Sequence, residues 1–134
     1  MTQFRISEAA ALLGLSDDTL RRWVDSGHLP ASKDSAGRLV VSGVDLAGVA
    51  QTNAQVVPDP SGVGRSARNQ FVGLVTRILE DTVMAQVELQ CGPFRVVSLM
   101  SAEAVHDLGL EVGSLAVAVV KATTVIVETP HRTA

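Results

Sequence analysis

The chain has 134 residues, of which 46% are apolar and 3% aromatic, a net charge of −3 and a sequence pI of about 5.5. This composition is typical of a globular protein, and the length allows one ordinary domain or two small ones. An acidic chain is not a general nucleic-acid coat, so DNA binding would need a local basic patch. The single Cys91 excludes an intrachain disulfide framework. Three scattered histidines, His28, His106 and His131, predict no transition-metal site.

The first half of the chain predicts helices. One is expected over residues 7–14, where Ser7 stands as the cap and Gly14 as the stop. A second is expected over residues 17–26 with Ser16 as its cap. Its apolar residues recur at i, i+3 and i+4 and form one buried stripe, and its acidic and basic residues form i,i+4 pairs. The stripe consists of Leu20, Trp23 and Val24, and the pairs are Asp17–Arg21 and Asp18–Arg22.

A short β-hairpin follows over residues 32–41, because a turn signal at 34–37 is flanked by Lys33 and Arg38. A third short helix is expected over residues 42–50. Residues 51–64 are rich in Pro, Gly, Ser, Thr and Asn, a composition typical of a linker. The chain therefore predicts two domains joined by this linker.

The second half changes to a period of two, which is typical of strands with one buried face. Five strands and one short helix, separated by turn residues, predict a small closed or nearly closed barrel. The helix is capped by Ser101 and closed by Gly109. The expected strands cover residues 71–79, 83–89, 94–100, 115–120 and 125–128.

Two helices joined by Gly14-Leu15 and followed by a hairpin have the order of a winged helix-turn-helix. The residues that carry a closer likeness are Ile6 to Ser16, Thr19 to Trp23, Gly27 to Pro30, and Gly37-Arg38. On these residues, the domain over 1–50 resembles the MerR-type and excisionase-type DNA-binding domain. The resemblance implies that the second helix lies in a major groove and that the hairpin contacts phosphate. The expected DNA contacts are Thr19, Arg21, Arg22, Lys33 and Arg38.

The charge balance of this first domain leaves an alternative open. Residues 1–57 carry five basic and six acidic side chains, and Asp17 and Asp18 stand where a phosphate would approach. A single copy is therefore expected to bind DNA weakly. A helical module used only for protein contacts is the alternative to a DNA-binding domain.

Four segments of the second half carry a second likeness. They are residues 66–75 (SARNQFVGLV), 97–101 (VSLMS), 105–113 (VHDLGLEVG) and 118–125 (AVVKATTV). On these segments, residues 66–128 resemble a Mop domain, the molybdate-binding module of molbindins, related to the TOBE barrels of transporter ATPases. The expected fold is α+β: a winged helix-turn-helix domain followed, over 65–130, by a five-stranded OB-like β-barrel with one short helix.

The resemblance implies molybdate or tungstate as the ligand. These tetrahedral dianions accept hydrogen bonds, so a site must offer N–H and O–H donors and cations and must exclude carboxylates. The resemblance also implies that the anion lies between subunits, with Ser66 and Arg68 of one chain meeting Lys121 of another. This requires at least a dimer and is compatible with a hexamer, a trimer of dimers. The expected oxyanion-binding residues are Ser66, Ala67, Arg68, Ser98, Lys121, Ala122 and Thr123.

Together, these patterns favour a cytoplasmic, oxyanion-responsive transcriptional regulator of molybdenum uptake or use. The chain shows no signal peptide or membrane-spanning run and no catalytic constellation, so it is expected to be neither a membrane protein nor an enzyme. One alternative is a molybdate storage or buffering protein whose helical head contacts other proteins. A second alternative is a DNA-architectural factor in which the barrel only oligomerises.

Overall fold

The computed structural model describes residues 2–130, so His131 lies outside the described residues. The chain divides into two compact units, Met1–Val56 and Val57–Ala134. Each unit has its own apolar core. Within the described residues, no helix is both long and apolar enough to cross a membrane.

The first unit packs three helices against a small antiparallel sheet whose strand order is β1 (Gln3–Arg5), β3 (Leu39–Ser42), β2 (Ser32–Lys33). The first and second helices form the helix-turn-helix, and β2 and β3 form the predicted hairpin, or wing. The first strand was not predicted; it pairs with β3 in the register Phe4↔Val41. The elements are β1 (Gln3–Arg5), α1 (Ile6–Leu13), α2 (Asp17–Asp25), β2 (Ser32–Lys33), β3 (Leu39–Ser42) and α3 (Gly43–Asn53).

Local capping explains where most of these helices begin and end. The Ser16 hydroxyl accepts a hydrogen bond from the Thr19 amide at 3.2 Å, as the sequence predicts for α2. Gly14 ends α1 in the left-handed region, at φ 69°. The prediction that Ser7 caps α1 is wrong: β1 runs directly into the helix, so Arg5 occupies the cap position without a side-chain bond.

The core of the first unit is aliphatic, as the scarcity of aromatic residues requires. Leu20 is fully buried, and Trp23 and Val24 pack against the same cluster, which confirms the predicted stripe of α2. The cluster joins all three helices to β3. Its buried members are Ile6, Ala9, Ala10, Leu20, Leu29, Val41, Leu46 and Val49.

The second unit is one antiparallel sheet with the strand order β6 (Phe94–Ser101), β5 (Met84–Cys91), β4 (Asn69–Glu80), β7 (Leu115–Val120). One short helix, α4, begins at the predicted cap Ser101 and ends at Gly109, with φ 64°. The sheet curls into a half-barrel around a core that includes Val75, Val87 and Val105. The α+β class is confirmed. The elements are β4 (Asn69–Glu80), β5 (Met84–Cys91), β6 (Phe94–Ser101), α4 (Ala102–Leu108), β7 (Leu115–Val120) and a 3₁₀ turn (Ala122–Thr124).

The described sheet has four strands rather than the five expected. Residues 125–128 follow the 3₁₀ turn without pairing to a strand, and Ile126 and Val127 are 84% and 86% exposed. Their β-branched composition predicts a strand, but a strand forms only where an edge is available to pair with it. The strand prediction for this segment is therefore corrected.

Edge strands β6 and β7 both border an open cavity of about 980 Å³ in the second unit. Val96, Ser98 and Met100 line one side of the cavity, and the whole of β7 lines the other. Because only one edge of each strand is paired within the part of the chain that the structure describes, β6 and β7 each present unpaired backbone groups. The half-barrel is thus open between them.

Candidate functional site

A basic groove of about 410 Å³ lies on the first unit, where three elements meet. Arg5 comes from the end of β1, Arg21 from α2, and Arg38 from the residue before β3. The carboxylate of Asp17, at the start of α2, lines the same groove. Three guanidinium groups against one carboxylate give the groove a net positive charge within an acidic chain.

The wing holds Arg38 by a network around one carboxylate. Asp34 Oδ1 accepts hydrogen bonds from the amides of Ala36 and Arg38, each at 2.9 Å, and Asp34 Oδ2 accepts from Arg38 Nε at 3.3 Å. The backbone bond from Arg38 is the main reason that the pKa of Asp34 lies below its usual value. The turn closes through Gly37 at φ 78°. Asp34 therefore stays ionised at neutral pH and fixes the base of the Arg38 side chain.

The other expected DNA contacts are placed differently. Arg22 bonds its own helix: Nη2 donates to Thr19 Oγ1 and Nε to the Asp18 carbonyl, both at 3.4 Å. Thr19 also lies 2.9 Å from the cap hydroxyl of Ser16. Lys33 is exposed on β2. The structure therefore brings Arg21 and Arg38 together and leaves Thr19, Arg22 and Lys33 outside the groove.

Two predicted ion pairs are corrected. Among the described residues, neither Asp17–Arg21 nor Asp18–Arg22 reaches ion-pair distance, although both stand at i,i+4 spacing. Such exposed pairs stabilise a helix by only about 0.3–0.5 kcal/mol, too little to fix two long side chains. Arg5, which joins the groove, was missed because an isolated Arg in a short unpredicted strand carries no sequence signal.

In the second unit, strand register brings the two expected cations to one end of the sheet. Antiparallel β4 and β7 pair from Asn69↔Val120 to Leu74↔Leu115, and the side-chain amide of Asn69 donates through Nδ2 to the Val120 carbonyl at 3.2 Å. Arg68 directly precedes this first pair, and Lys121 directly follows it. The fold therefore places both cations of one chain at the same end of a single ladder.

Four of the other expected oxyanion residues lie within two positions of Arg68 or Lys121 along the chain. The Lys121 carbonyl accepts bonds from the Thr124 amide at 3.0 Å and the Thr124 hydroxyl at 2.8 Å, which folds the chain into the 3₁₀ turn. The side chains of Ser66, Arg68, Lys121 and Thr123 make no hydrogen bond or ion pair with any described residue and are exposed. We call Ser66, Ala67, Arg68, Lys121, Ala122 and Thr123 the cationic end.

Ser98 lies apart from the cationic end. It stands on β6, where it pairs across strands with Val87, which in turn pairs with Ile78 on β4. Ser98 lines the cavity of the half-barrel. Within the described residues, none of the cationic end lines that cavity. The structure therefore brings six of the seven expected residues to one region and leaves Ser98 out.

Arg65 was also missed by sequence reasoning. It lies on the cavity wall, where Nη2 donates to the Ser61 hydroxyl at 2.6 Å and lies 3.3 Å from Asp59 Oδ2. Its Nη1 is buried without a partner among the described residues. Arg65 thus holds the segment before β4 in a folded turn, and Ser61 of this segment lines the same cavity.

Two other titratable side chains, Glu88 and Cys91, are buried in the second unit. The buried Glu88 accepts hydrogen bonds from Arg95 and Gln86, and the bond from Arg95 is the main cause of its lowered pKa. Burial raises the pKa of the Cys91 thiol. Within the described residues, no cluster of His, Cys, Asp and Glu could hold a metal ion.

Comparison with known proteins assigns both units to families. The sequence profile described as "TOBE domain" matches residues 65–127. Over 63 residues, the chain is 38% identical to molybdenum-pterin-binding protein 3 from Clostridium pasteurianum; this covers 46% of the chain and 93% of the relative. The chain belongs to the TOBE family of molybdenum-pterin-binding proteins. The profile described as "Helix-turn-helix domain" matches residues 4–54, so the TOBE domain is fused to a helix-turn-helix.

Two further relatives of the TOBE domain agree with this assignment. A probable molybdenum-pterin-binding protein from Haemophilus influenzae is 46% identical over 63 residues, 46% of this chain and 91% of the relative. A crystal structure of the cytoplasmic molybdate-binding protein ModG, with molybdate bound, is 41% identical and has a TM-score of 0.50. It covers 54% of this chain and 52% of ModG. The matched families bind ligands rather than catalyse reactions, in agreement with the expectation that the chain is not an enzyme.

Proposed function

We propose that this protein is a molybdate-binding, DNA-binding regulator of molybdenum uptake or use. The observation that carries the proposal is the register of β4 and β7, which assembles the cationic end within a TOBE domain. The molybdate bound in the structure of ModG, which is 41% identical to this chain, supports molybdate as the ligand. A cytoplasmic location, as described for ModG, fits this function.

The chemistry of the cationic end suits a tetrahedral oxyanion. Arg68 and Lys121 supply two positive charges, which offset the desolvation of a dianion. Ser66 and Thr123 supply hydroxyl donors, and the amides of Ala67 and Ala122 are further donors of the kind found in anion nests. No carboxylate belongs to this set. Tungstate has the same charge and shape, so we propose that it binds as well.

We propose that a second protomer encloses the anion. The charged groups of the cationic end are exposed, and water and salt weaken ionic contacts that remain exposed. Covering the anion with another chain lowers the local dielectric constant and strengthens every contact. As the resemblance implies, Ser66 and Arg68 of one chain would then meet Lys121 of the other. Ser98, which lies apart within one chain, would also be supplied across this contact. Contact between chains implies a dimer or a larger assembly, such as a hexamer.

Exposed apolar surface in the TOBE unit supports assembly. Leu99, Leu115, Ile126 and Val127 are all more than half exposed. Strands β6 and β7 also leave hydrogen-bonding edges unpaired. Apolar surface of this extent next to open strand edges is typical of an interface.

The proposed regulation couples anion binding to DNA binding through assembly. An anion that bridges protomers favours the assembled state by mass action. Assembly multiplies helix-turn-helix domains that bind weakly one at a time, because linked sites gain effective concentration. Molybdate would thus raise DNA affinity without reshaping the DNA-binding domain.

Calorimetry tests the oxyanion site. The full chain should bind molybdate, and Arg68→Gln or Lys121→Gln should weaken binding at least about tenfold, since each removes a charged hydrogen bond of about 1.5–3 kcal/mol. Arg77→Gln removes the same charge from an exposed position on β4 and should bind as the wild type does. Equal binding by all four proteins would refute the cationic end as the site.

Gel-shift titrations and native mass spectrometry test the regulatory step. Molybdate should increase both the assembled fraction and the affinity for DNA. A storage protein is the second candidate, favoured by the six acidic against five basic residues in 1–57. Molybdate binding without any DNA binding at low salt would select storage over regulation.

A further inference from the structure

We propose that Arg5, Arg21 and Arg38 form a phosphate clamp, a single site for one backbone phosphodiester of DNA, and that Asp17 limits its strength. This inference rests on the proposed DNA binding and adds a residue, Arg5, that the helix-turn-helix pattern does not indicate. The three arginines come from β1, α2 and the wing, and they line one groove of about 410 Å³. Ile6, Ser7 and Leu39 complete the lining.

All three guanidinium groups are available to a ligand. Arg21 has no hydrogen-bond or ion-pair partner among the described residues. Arg5 lies 4.0 Å from Glu8 in a pair whose two side chains are about half exposed, a geometry that holds a side chain weakly. Arg38 uses only its Nε toward Asp34, which leaves its two terminal nitrogens free. Glu8 and Asp34 pair with Arg5 and Arg38 but do not line the groove, so the three guanidinium groups keep hydrogen-bond donors for a ligand.

The chemistry of the groove fits a phosphodiester. A guanidinium can donate two parallel hydrogen bonds to phosphate oxygens, and three of them offset the single negative charge of one backbone phosphate. The first helix of a helix-turn-helix crosses the DNA backbone, and the groove lies at the start of α1, between α2 and the wing. Phosphate contacts fix the register of the domain on the duplex, whereas base contacts provide specificity.

Asp17 is the one carboxylate among the described residues that lines the groove. It stands in the first turn of α2, where a negative charge is favourable for the helix. Near a phosphate, the same charge is repulsive. The clamp therefore predicts opposite effects for two neighbouring substitutions: losing Arg5 weakens DNA binding, and neutralising Asp17 strengthens it.

The experiment measures binding of the full chain to a mixed-sequence DNA duplex across a range of salt concentrations. Each phosphate contact contributes about 0.9 to the slope of log K against log salt. Arg5→Gln should lower affinity by about threefold to tenfold and reduce the slope by about one. Asp17→Asn should raise affinity several-fold. Arg77→Gln, which removes a charge from the other unit, should match the wild type.

Further variants and readouts separate charge from folding. Arg5→Lys should restore most of the slope, because a cation remains, and Trp23 fluorescence should report an intact first unit in every variant. One result would overturn the clamp and leave the DNA-binding function standing. The wild type would bind DNA, Arg5→Gln would keep the wild-type salt slope, and Asp17→Asn would show no gain in affinity. A wild type that binds no duplex at low salt would overturn both.

Discussion

Gly73 marks a place in the second unit where the fold has no room for a side chain. A Cβ at this position would lie 2.3 Å from the Gln90 carbonyl oxygen and 2.6 Å from Cys91 Sγ, both on the neighbouring strand β5. We therefore expect Gly73→Ala to destabilise the TOBE unit by at least about 1–3 kcal/mol, because the two strands must separate. Urea unfolding followed by circular dichroism would measure the change.

Gly48 provides the matched control for this substitution. It is exposed within α3, and a Cβ there would meet nothing within 4 Å. Gly48→Ala should stabilise the first unit by about 0.5–1 kcal/mol, because Ala loses less conformational freedom than Gly in a helix. The sole tryptophan, Trp23, lies in the first unit. The urea midpoint measured by its fluorescence should therefore rise in Gly48→Ala and stay unchanged in Gly73→Ala. A destabilised Gly48→Ala or an unaffected Gly73→Ala would contradict this account.

At the scale of elements, the two serines that precede or begin the first helices have different roles. Ser16 caps α2 through its bond to the Thr19 amide, whereas Ser7 lies inside α1 and caps nothing. Ser16→Ala should cost about 1 kcal/mol, and Ser7→Ala should be neutral or slightly stabilising. The midpoint of urea unfolding monitored by Trp23 distinguishes them. A comparable loss in both variants would mean that the cap is not what fixes α2.

The wing is an element whose turn depends on ionisation. Asp34 has a folded-state pKa below the ordinary 3.8 because amides of the turn donate to its carboxylate. Its ionised form therefore stabilises the wing fully above the ordinary value, and this contribution is lost as pH falls through the lower, folded value. In an NMR titration, the Ala36 and Arg38 amides should shift with a midpoint below 3.8. Asp34→Asn should abolish that titration, and a midpoint at or above the ordinary value would refute the network.

The elements also show what sequence can predict. The cap of α2, the stop of α1 and the limits of α4 follow from residues that lie next to one another, so local chemistry was enough to place them. The strand expected over 125–128 failed because pairing depends on an edge supplied from elsewhere. Family resemblance groups Arg68 with Lys121, but only the β4–β7 register shows that the two residues lie at the same end of one ladder. Arg5 and Arg65 lay outside any pattern, and only the three-dimensional structure shows that they border cavities.

At the scale of the whole molecule, the proposed DNA binding requires assembly to compensate for charge. The chain carries a net charge of −3, which repels DNA, and each copy has one helix-turn-helix domain. Several linked domains can exceed the affinity of one by about 10²–10⁴-fold when they engage the same duplex. If the proposed function holds, DNA affinity should therefore depend on the surface through which we expect protomers to associate.

The exposed segment Val125–Val127 provides a test of this dependence. Replacing both Ile126 and Val127 with Asp places charges where we expect apolar contact between protomers. The double variant should therefore be monomeric in native mass spectrometry, and its DNA affinity should fall at least about tenfold. Val56 and Val57 are also exposed, and replacing both with Asp adds the same charge outside the expected contact. This control variant separates repulsion of DNA from loss of assembly. If the two double variants bind DNA equally well, assembly through this segment does not set the affinity, and each helix-turn-helix domain must act alone.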